Sequence, residues 1–229
     1  MVGTLPPVTA DVANVTNGTK VTVPLPRRPL DPGAAVRDWY ENELGWPTVP
    51  VMPAVRGESG NPGSAVRLAV GVRFDVLDVP AEAGRAGLRH LTPRSPVAVQ
   101  GGRMRLLVAA GSAEELSGLL DWLEWGALAL DLTALGEGDA MDAPPPPGPE
   151  RAGARPSAPG APGTLQGAAV WLRPPGPGCE AEAEASLPTL SAMGGREGAP
   201  DLVRLVNTVA TQCHRIRLRR ARAQALAFS

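Results

Sequence analysis

The sequence predicts an α+β fold: a mixed β-sheet with packed helices, interrupted by Pro/Gly-rich disordered insertions. Three observations predict it. Short apolar runs bounded by Gly and Pro recur at 65–70, 72–79, 97–99 and 106–108, as buried strands do. Gly101-Gly102 between the last two runs reads as a hairpin turn. Segments of helical period stand between and around these runs, so the strands are joined partly by hairpins and partly by helices. At 229 residues the chain holds one domain of ordinary size plus disordered segments.

Residues 1–30 are rich in Thr, Val and Pro, and Asn17-Gly18 sits between β-branched residues, so a hairpin or an extended arm is expected. Asp31-Pro32 then opens a helix whose apolar face is Val36, Trp39, Tyr40 and Leu44, and Gly45 ends it. A short extended segment follows at 46–51, then a polar Gly/Pro loop at 56–64. After the strands at 65–79, Pro80-Ala81-Glu82 starts a short helix reaching about His90, and the hairpin spans 96–109. Ser112 with Glu115 three residues on is a capping-box pattern. The helix it opens carries Leu116, Leu119, Leu120 and Leu123 on one face. The run at 127–132 reads as another buried strand containing Asp131.

Of the 26 Pro and 27 Gly, 13 and 11 fall after Gly136, most densely at residues 137–165, which cannot bury enough apolar surface to offset their ordering entropy. They are expected to be a disordered insertion in a domain spanning 31–173. Residues 167–172 return as a strand carrying Trp171, and 174–199 read as a Pro/Gly-rich linker. A basic helix closes the chain within 200–229, with Leu202, Leu205, Val206, Val209, Cys213 and Ile216 at helical spacing.

A net charge of -1 gives the whole molecule no general attraction to nucleic acid or membrane. The basic residues are nearly all Arg, Lys20 being the single lysine, which is most simply a GC-rich coding bias. Cys179 and Cys213 form neither a metal pattern nor a disulfide framework. No apolar run follows a basic start and none approaches a membrane span, so no signal peptide or membrane partner is expected and the protein reads as cytoplasmic. The acceptor patterns at Asn14 and Asn17 are then chance matches.

Asp75, Asp78 and Asp131 lie at or near strand ends. Carboxylates converging from neighbouring strands are what two-metal nucleotidyl transfer needs; aspartates in the same places also cap strands and helices in solvent. Arg103 and Arg105, two apart on a strand, face one side, where they either hold a triphosphate or meet solvent. His90 and His214 show no sign of ligation. Trp122 and Trp125 read as core packing before base stacking.

Several motifs fall in a definite order. Gly45-Trp46-Pro47-Thr48-Val49-Pro50 follows an early helix, and Val76-Leu77-Asp78-Val79-Pro80 ends a hydrophobic strand. Gly101-Gly102-Arg103-Met104 makes a hairpin. Asp131 precedes Gly136, Gly138 and Pro144-Pro145, and Trp171 lies on a last strand. Between residues 36 and 173 this order resembles the N-terminal domain of bacterial and plasmid bifunctional DNA primase/polymerases, a branch of the archaeo-eukaryotic primase superfamily.

The resemblance implies a primase/polymerase-like fold and a DNA- or nucleotide-related role in replication. It implies Asp78 and Asp131 as catalytic residues and ligands of Mg²⁺ or Mn²⁺, with Arg103 and Arg105 binding nucleotide. The chain departs from the family where it matters most. Pro80 stands at the second acidic position, and Met104 or Arg105 at the position of a nucleotide-contacting His. These departures imply a degenerate member with weak or no nucleotidyltransferase activity, unless a neighbour such as Glu82 compensates.

Arg215, Arg217, Arg219, Arg220 and Arg222 put five arginines within eight residues. They read either as a basic last turn complementing the helix dipole or as a contact surface for DNA, RNA or an acidic protein. The second functional expectation follows from them: a non-enzymatic regulatory or interaction protein that binds through this helix.

Overall fold

A computed structural model describes residues 32–49, 66–147, 167–176, 186–190 and 200–227, and all of them fall within one compact unit, 31–229. In chain order the elements are α1 (Pro32–Asp38), β1 (Thr48–Val49), β2 (Arg67–Ala69), β3 (Asp75–Pro80), α2 (Ala81–Gly87), β4 (Val97–Gln100) and β5 (Arg103–Val108). α3 (Ser112–Trp122), β6 (Thr133–Leu135), β7 (Ala140–Asp142), β8 (Val170–Arg173) and α4 (Leu202–Ala227) complete them.

The β4–β5 hairpin forms where Gly-Gly predicts it, with Gly101 at φ 52° and Gly102 at φ 83°, the left-handed pair that suits strand twist. β3 pairs with β5 along its whole length, and the sheet order is β6-β3-β5-β4-β8. A second, three-stranded sheet has the order β1-β2-β7. Every pairing inside the two sheets is antiparallel; among the described residues parallel pairing occurs only as a single bridge between Thr189 and Asp201.

Strand alternation gives the five-stranded sheet two apolar faces. Leu77, Val79, Met104, Leu106 and Val108 meet α2, α3 and the buried stripe of α4, which includes Leu205, Val209 and Ile216. Close approach depends on two glycines of α2. A Cβ at Gly84 would lie 2.8 Å from Met104 Cβ, and one at Gly87 would lie 2.9 Å from Leu205 Cδ1. On the other face Val76, Ala98 and Leu107 pack with Leu68 and Met141 of the small sheet and with Tyr40, Trp46 and Phe74. The Tyr40 hydroxyl donates to Pro144 O (2.6 Å) and accepts from Trp171 Nε1 (3.0 Å), tying α1's continuation to both sheets.

The α+β expectation therefore holds, but the sheet expected to be mixed is antiparallel in every described strand pair, and several elements differ from their sequence reading. The apolar stretch at 65–79 divides between the two sheets as β2 and β3. Residues 127–132 are irregular backbone, not a strand, because α4 takes the carbonyls a ladder would need: Arg217 Nη1 donates to Ala129 O (2.8 Å) and Cys213 Sγ to Asp131 O (3.4 Å). The strand starts only at Thr133, directly after that run, as β6.

Within 137–165, expected to be disordered, residues 137–147 are ordered, since β7 finds the edge of β2; the remainder lies outside the described residues. In the expected linker at 174–199, Ser186 and Leu187 are buried, with Ser186 O accepting from Ser95 Oγ (2.6 Å) and Pro188 O from Ala109 N (2.9 Å). The expected arm at 1–30, the Asp31 cap and the loop at 56–64 lie outside the described residues.

The capping box at Ser112 and Glu115 does not form. Gly111, at φ 86°, occupies the cap position and has no side chain to offer. Asp75 of β3 reaches across instead, its Oδ2 accepting from Ala113 N (2.8 Å). Trp122 is 72% exposed, against the expectation of core packing, while Trp125 donates to Asn207 Oδ1 (2.9 Å) beside the His214 ring. Among the described residues, no helix is long and apolar enough to cross a membrane.

Candidate functional site

In β3, Leu77 and Val79 turn toward the helices, so alternation sends Asp78 to the opposite face. The antiparallel register sets Arg105 directly across from Asp78, with Arg103 across from Pro80. All three therefore share the sheet end where β3 finishes and β5 begins. Asp131 enters from the loop before β6, whose Thr133 also pairs with Asp78.

Arg103 joins the two carboxylates. Its Nε donates to Asp78 Oδ1 (2.5 Å), its Nη2 to the Asp78 carbonyl (2.9 Å), and its Nη1 to Asp131 Oδ1. Arg105 Nε donates to Asp78 Oδ2 (3.4 Å). Burial alone favours loss of the Arg103 proton, but its bonds to Asp131 and Asp78 outweigh that and raise its pKa above the ordinary arginine value.

The arginines of α4 meet this cluster from the helix side. Arg220 Nη1 lies 3.7 Å from Asp131 Oδ2, Arg219 pairs with Glu82 of α2, and Arg217 holds the Ala129 carbonyl. Arg215 and Arg222 are exposed. None of these arginines makes a basic last turn, because α4 continues to Ala227 and its last turn carries no basic residue. Their side chains from 217 to 222 are all exposed, so this end of α4 stands out from the core that Ile216 closes.

The resemblance implies Mg²⁺ or Mn²⁺ between Asp78 and Asp131, and the residues present do not fit one. The Arg103 guanidinium donates to both carboxylates from between them, and Arg105 and Arg220 add two further positive charges. A divalent ion wants several oxygen ligands and is repelled by cations this close. Among the described residues no group of three or more His, Cys, Asp or Glu is assembled for a metal. Glu82, the neighbour able to compensate, is taken by Arg219.

The other candidates have structural roles. Asp75 is 1% exposed; desolvation raises its pKa against the lowering effect of the Ala113, Gly111 and Ser112 N–H groups it caps. His90 closes the short helix that follows α2. Burial, followed by Arg89 and Arg204, lowers its pKa below 6.5, and its Nε2 lies 2.8 Å from Thr208 Oγ1. Cys213 is a buried thiol that desolvation pushes up to about 11. What sequence reasoning missed is the meeting of α4's arginines with Asp131 and Glu82, which are up to 137 residues away along the chain and carry no local signal of it.

The chain matches no protein-family model, no curated protein and no solved structure.

Proposed function

We propose that this chain is a non-catalytic binding protein that holds the phosphate backbone of a nucleic acid on an arginine-lined surface at one end of its five-stranded sheet. One observation carries the reading: the Arg103 guanidinium closes Asp78 and Asp131 to metal. Around that pair Arg105, Arg217, Arg219 and Arg220 outnumber the carboxylates, and Arg215 and Arg222 extend the positive surface along α4. Guanidinium groups suit phosphate because their fixed N–H fork makes charge-assisted bonds to its oxygens. The resemblance to primase/polymerase domains supports the same partner class, with the metal-dependent chemistry lost.

Two assays test this. Template-dependent nucleotide incorporation should stay at background with Mg²⁺ and with Mn²⁺; incorporation that Asp78→Asn abolishes overturns the non-catalytic reading. Electrophoretic shifts at rising salt should show steep weakening. The combined change Arg217→Ala, Arg219→Ala and Arg220→Ala should cut the slope of log K against log salt by about two to three on duplex.

A second reading, an acidic protein partner, is favoured by one feature. Leu218 is 46% exposed among the arginines, and Leu128 is 38% exposed one residue from the Arg217 contact at Ala129. Apolar surface there suits an acidic amphipathic segment better than a phosphate backbone. Binding to acidic polypeptide with no shift of DNA or RNA selects that reading.

A further inference from the structure

Asp78 and Asp131 touch the same guanidinium but are held very differently. The Asp78 side chain is 16% exposed and sits on a strand bonded on both sides. It takes the Nε of Arg103 and the Nε of Arg105, while its carbonyl takes Arg103 Nη2. Gripped at those edges, the two guanidinium groups have their planes set by one carboxylate and keep donors to spare. One is Arg103 Nη1, given to Asp131; another is Arg105 Nη1, buried without a partner among the described residues.

The Asp131 side chain is 43% exposed and belongs to a loop outside any strand. Its backbone is anchored through the carbonyl that Cys213 holds, so the carboxylate can rotate away while the loop stays. Its two oxygens meet Arg103 on one side and Arg220 on the other. An exposed, replaceable carboxylate held between two guanidinium groups, one of them fixed from behind by Asp78, marks a site that fits another oxyanion.

We infer that the Asp131 carboxylate occupies a phosphate seat formed by Arg103 and Arg220, with Asp78 as the residue that positions the guanidinium groups. A phosphate group enters by displacing Asp131, which acts as a built-in competitor. This inference rests on the proposed polyanion-binding function and locates its central contact. It also inverts the usual expectation for an aspartate at a strand-end site, because removing this one should strengthen binding.

Phosphate can come from a free polyphosphate or from a nucleic-acid backbone, so the test uses inorganic triphosphate and a single-stranded oligonucleotide as separate probes. Each is titrated by calorimetry into the full chain and into Asp131→Asn, Arg220→Gln and Arg103→Met, with thermal melting to check folding. Asp131→Asn should tighten binding about two- to fivefold, the worth of an exposed ion pair that no longer competes. Arg220→Gln should weaken it, and Arg103→Met should weaken it by more than about tenfold. Tightening for both probes identifies free polyphosphate as sufficient; tightening for the oligonucleotide alone identifies the diester backbone.

Folded Asp131→Asn that binds equally or more weakly than wild type overturns the seat, while wild-type oligonucleotide binding would leave the broader reading standing. If Asp131→Asn melts early, Asp131→Ser supplies the same comparison with a smaller side chain. Absence of binding by wild type and by both Asp131 variants to either probe overturns the seat, and absence of a duplex shift as well overturns the broader reading.

Discussion

Replacing Arg103 with Met removes all five guanidinium donors while keeping an unbranched stem, so the loss reports the bonds and not the packing. Two of those bonds go to Asp78, one to its carboxylate at 2.5 Å and one to its carbonyl at 2.9 Å, where the acceptor side chain is 16% exposed. Hydrogen bonds to charged groups contribute about 1.5–3 kcal/mol when shielded. The third goes to Asp131, 43% exposed, where an ion pair is worth about 0.2–1 kcal/mol. Because Arg103 is itself one-third exposed, the sum is discounted to about 2–4 kcal/mol, or about 4–16 °C in Tm for a chain of this size. Urea denaturation in double-mutant cycles apportions it. Coupling of Arg103 to Asp78, read with Asp78→Asn, should clearly exceed its coupling to Asp131, read with Asp131→Asn. A total loss below about 0.5 kcal/mol, or a larger coupling to Asp131, would refute the division into a part-buried positioning carboxylate and an exposed replaceable one.

Three further outcomes follow from two buried polar groups, Tyr40 and Asp75. Tyr40→Phe leaves the Pro144 carbonyl and the Trp171 indole N–H unpaired and should cost about 1–3 kcal/mol in urea denaturation. Burial also raises the Tyr40 pKa above its ordinary 10.0, so rising pH ionises the unfolded chain first and lowers stability. As Tyr40 is the single tyrosine, phenolate absorbance should appear together with unfolding, and its appearance in the folded protein near pH 10 would contradict the burial. Burial likewise raises the Asp75 carboxyl above 3.8, so its contribution is most favourable below that value and is lost as pH rises through the folded pKa. Asp75→Asn keeps an acceptor for Ala113 N and carries no charge, so its stability relative to wild type should improve as pH rises above about 4. A difference in Tm that does not change with pH would show that Asp75 is not penalised by desolvation.

The elements legible in the sequence are those whose cause is local. The Gly-Gly turn sets the β4–β5 hairpin through the φ values that two adjacent residues adopt. The apolar spacing from Leu202 to Ile216 makes one stripe of α4, and the structure buries that stripe. Asp78, Asp131, Arg103 and Arg105 were recognisable as a group, and they do meet at one sheet end. Their relation was not recognisable, since spacing cannot say whether two carboxylates face a vacancy or a guanidinium.

Where the sequence misleads, the partner lies far away in the chain. The 127–132 run has a strand's composition, yet Cys213 and Arg217 take its carbonyls. Residues 140–142 lack a strand's composition, yet β2 offers them an edge. Ser112 begins a capping pattern, yet Asp75, 38 residues earlier than Ala113, accepts the N–H that needed a cap. Hydrophobic period and turn chemistry act between neighbours and are written in the order of residues. Which acceptor a donor finds, and which charge faces which, depends on distances that exist only after the chain has closed on itself.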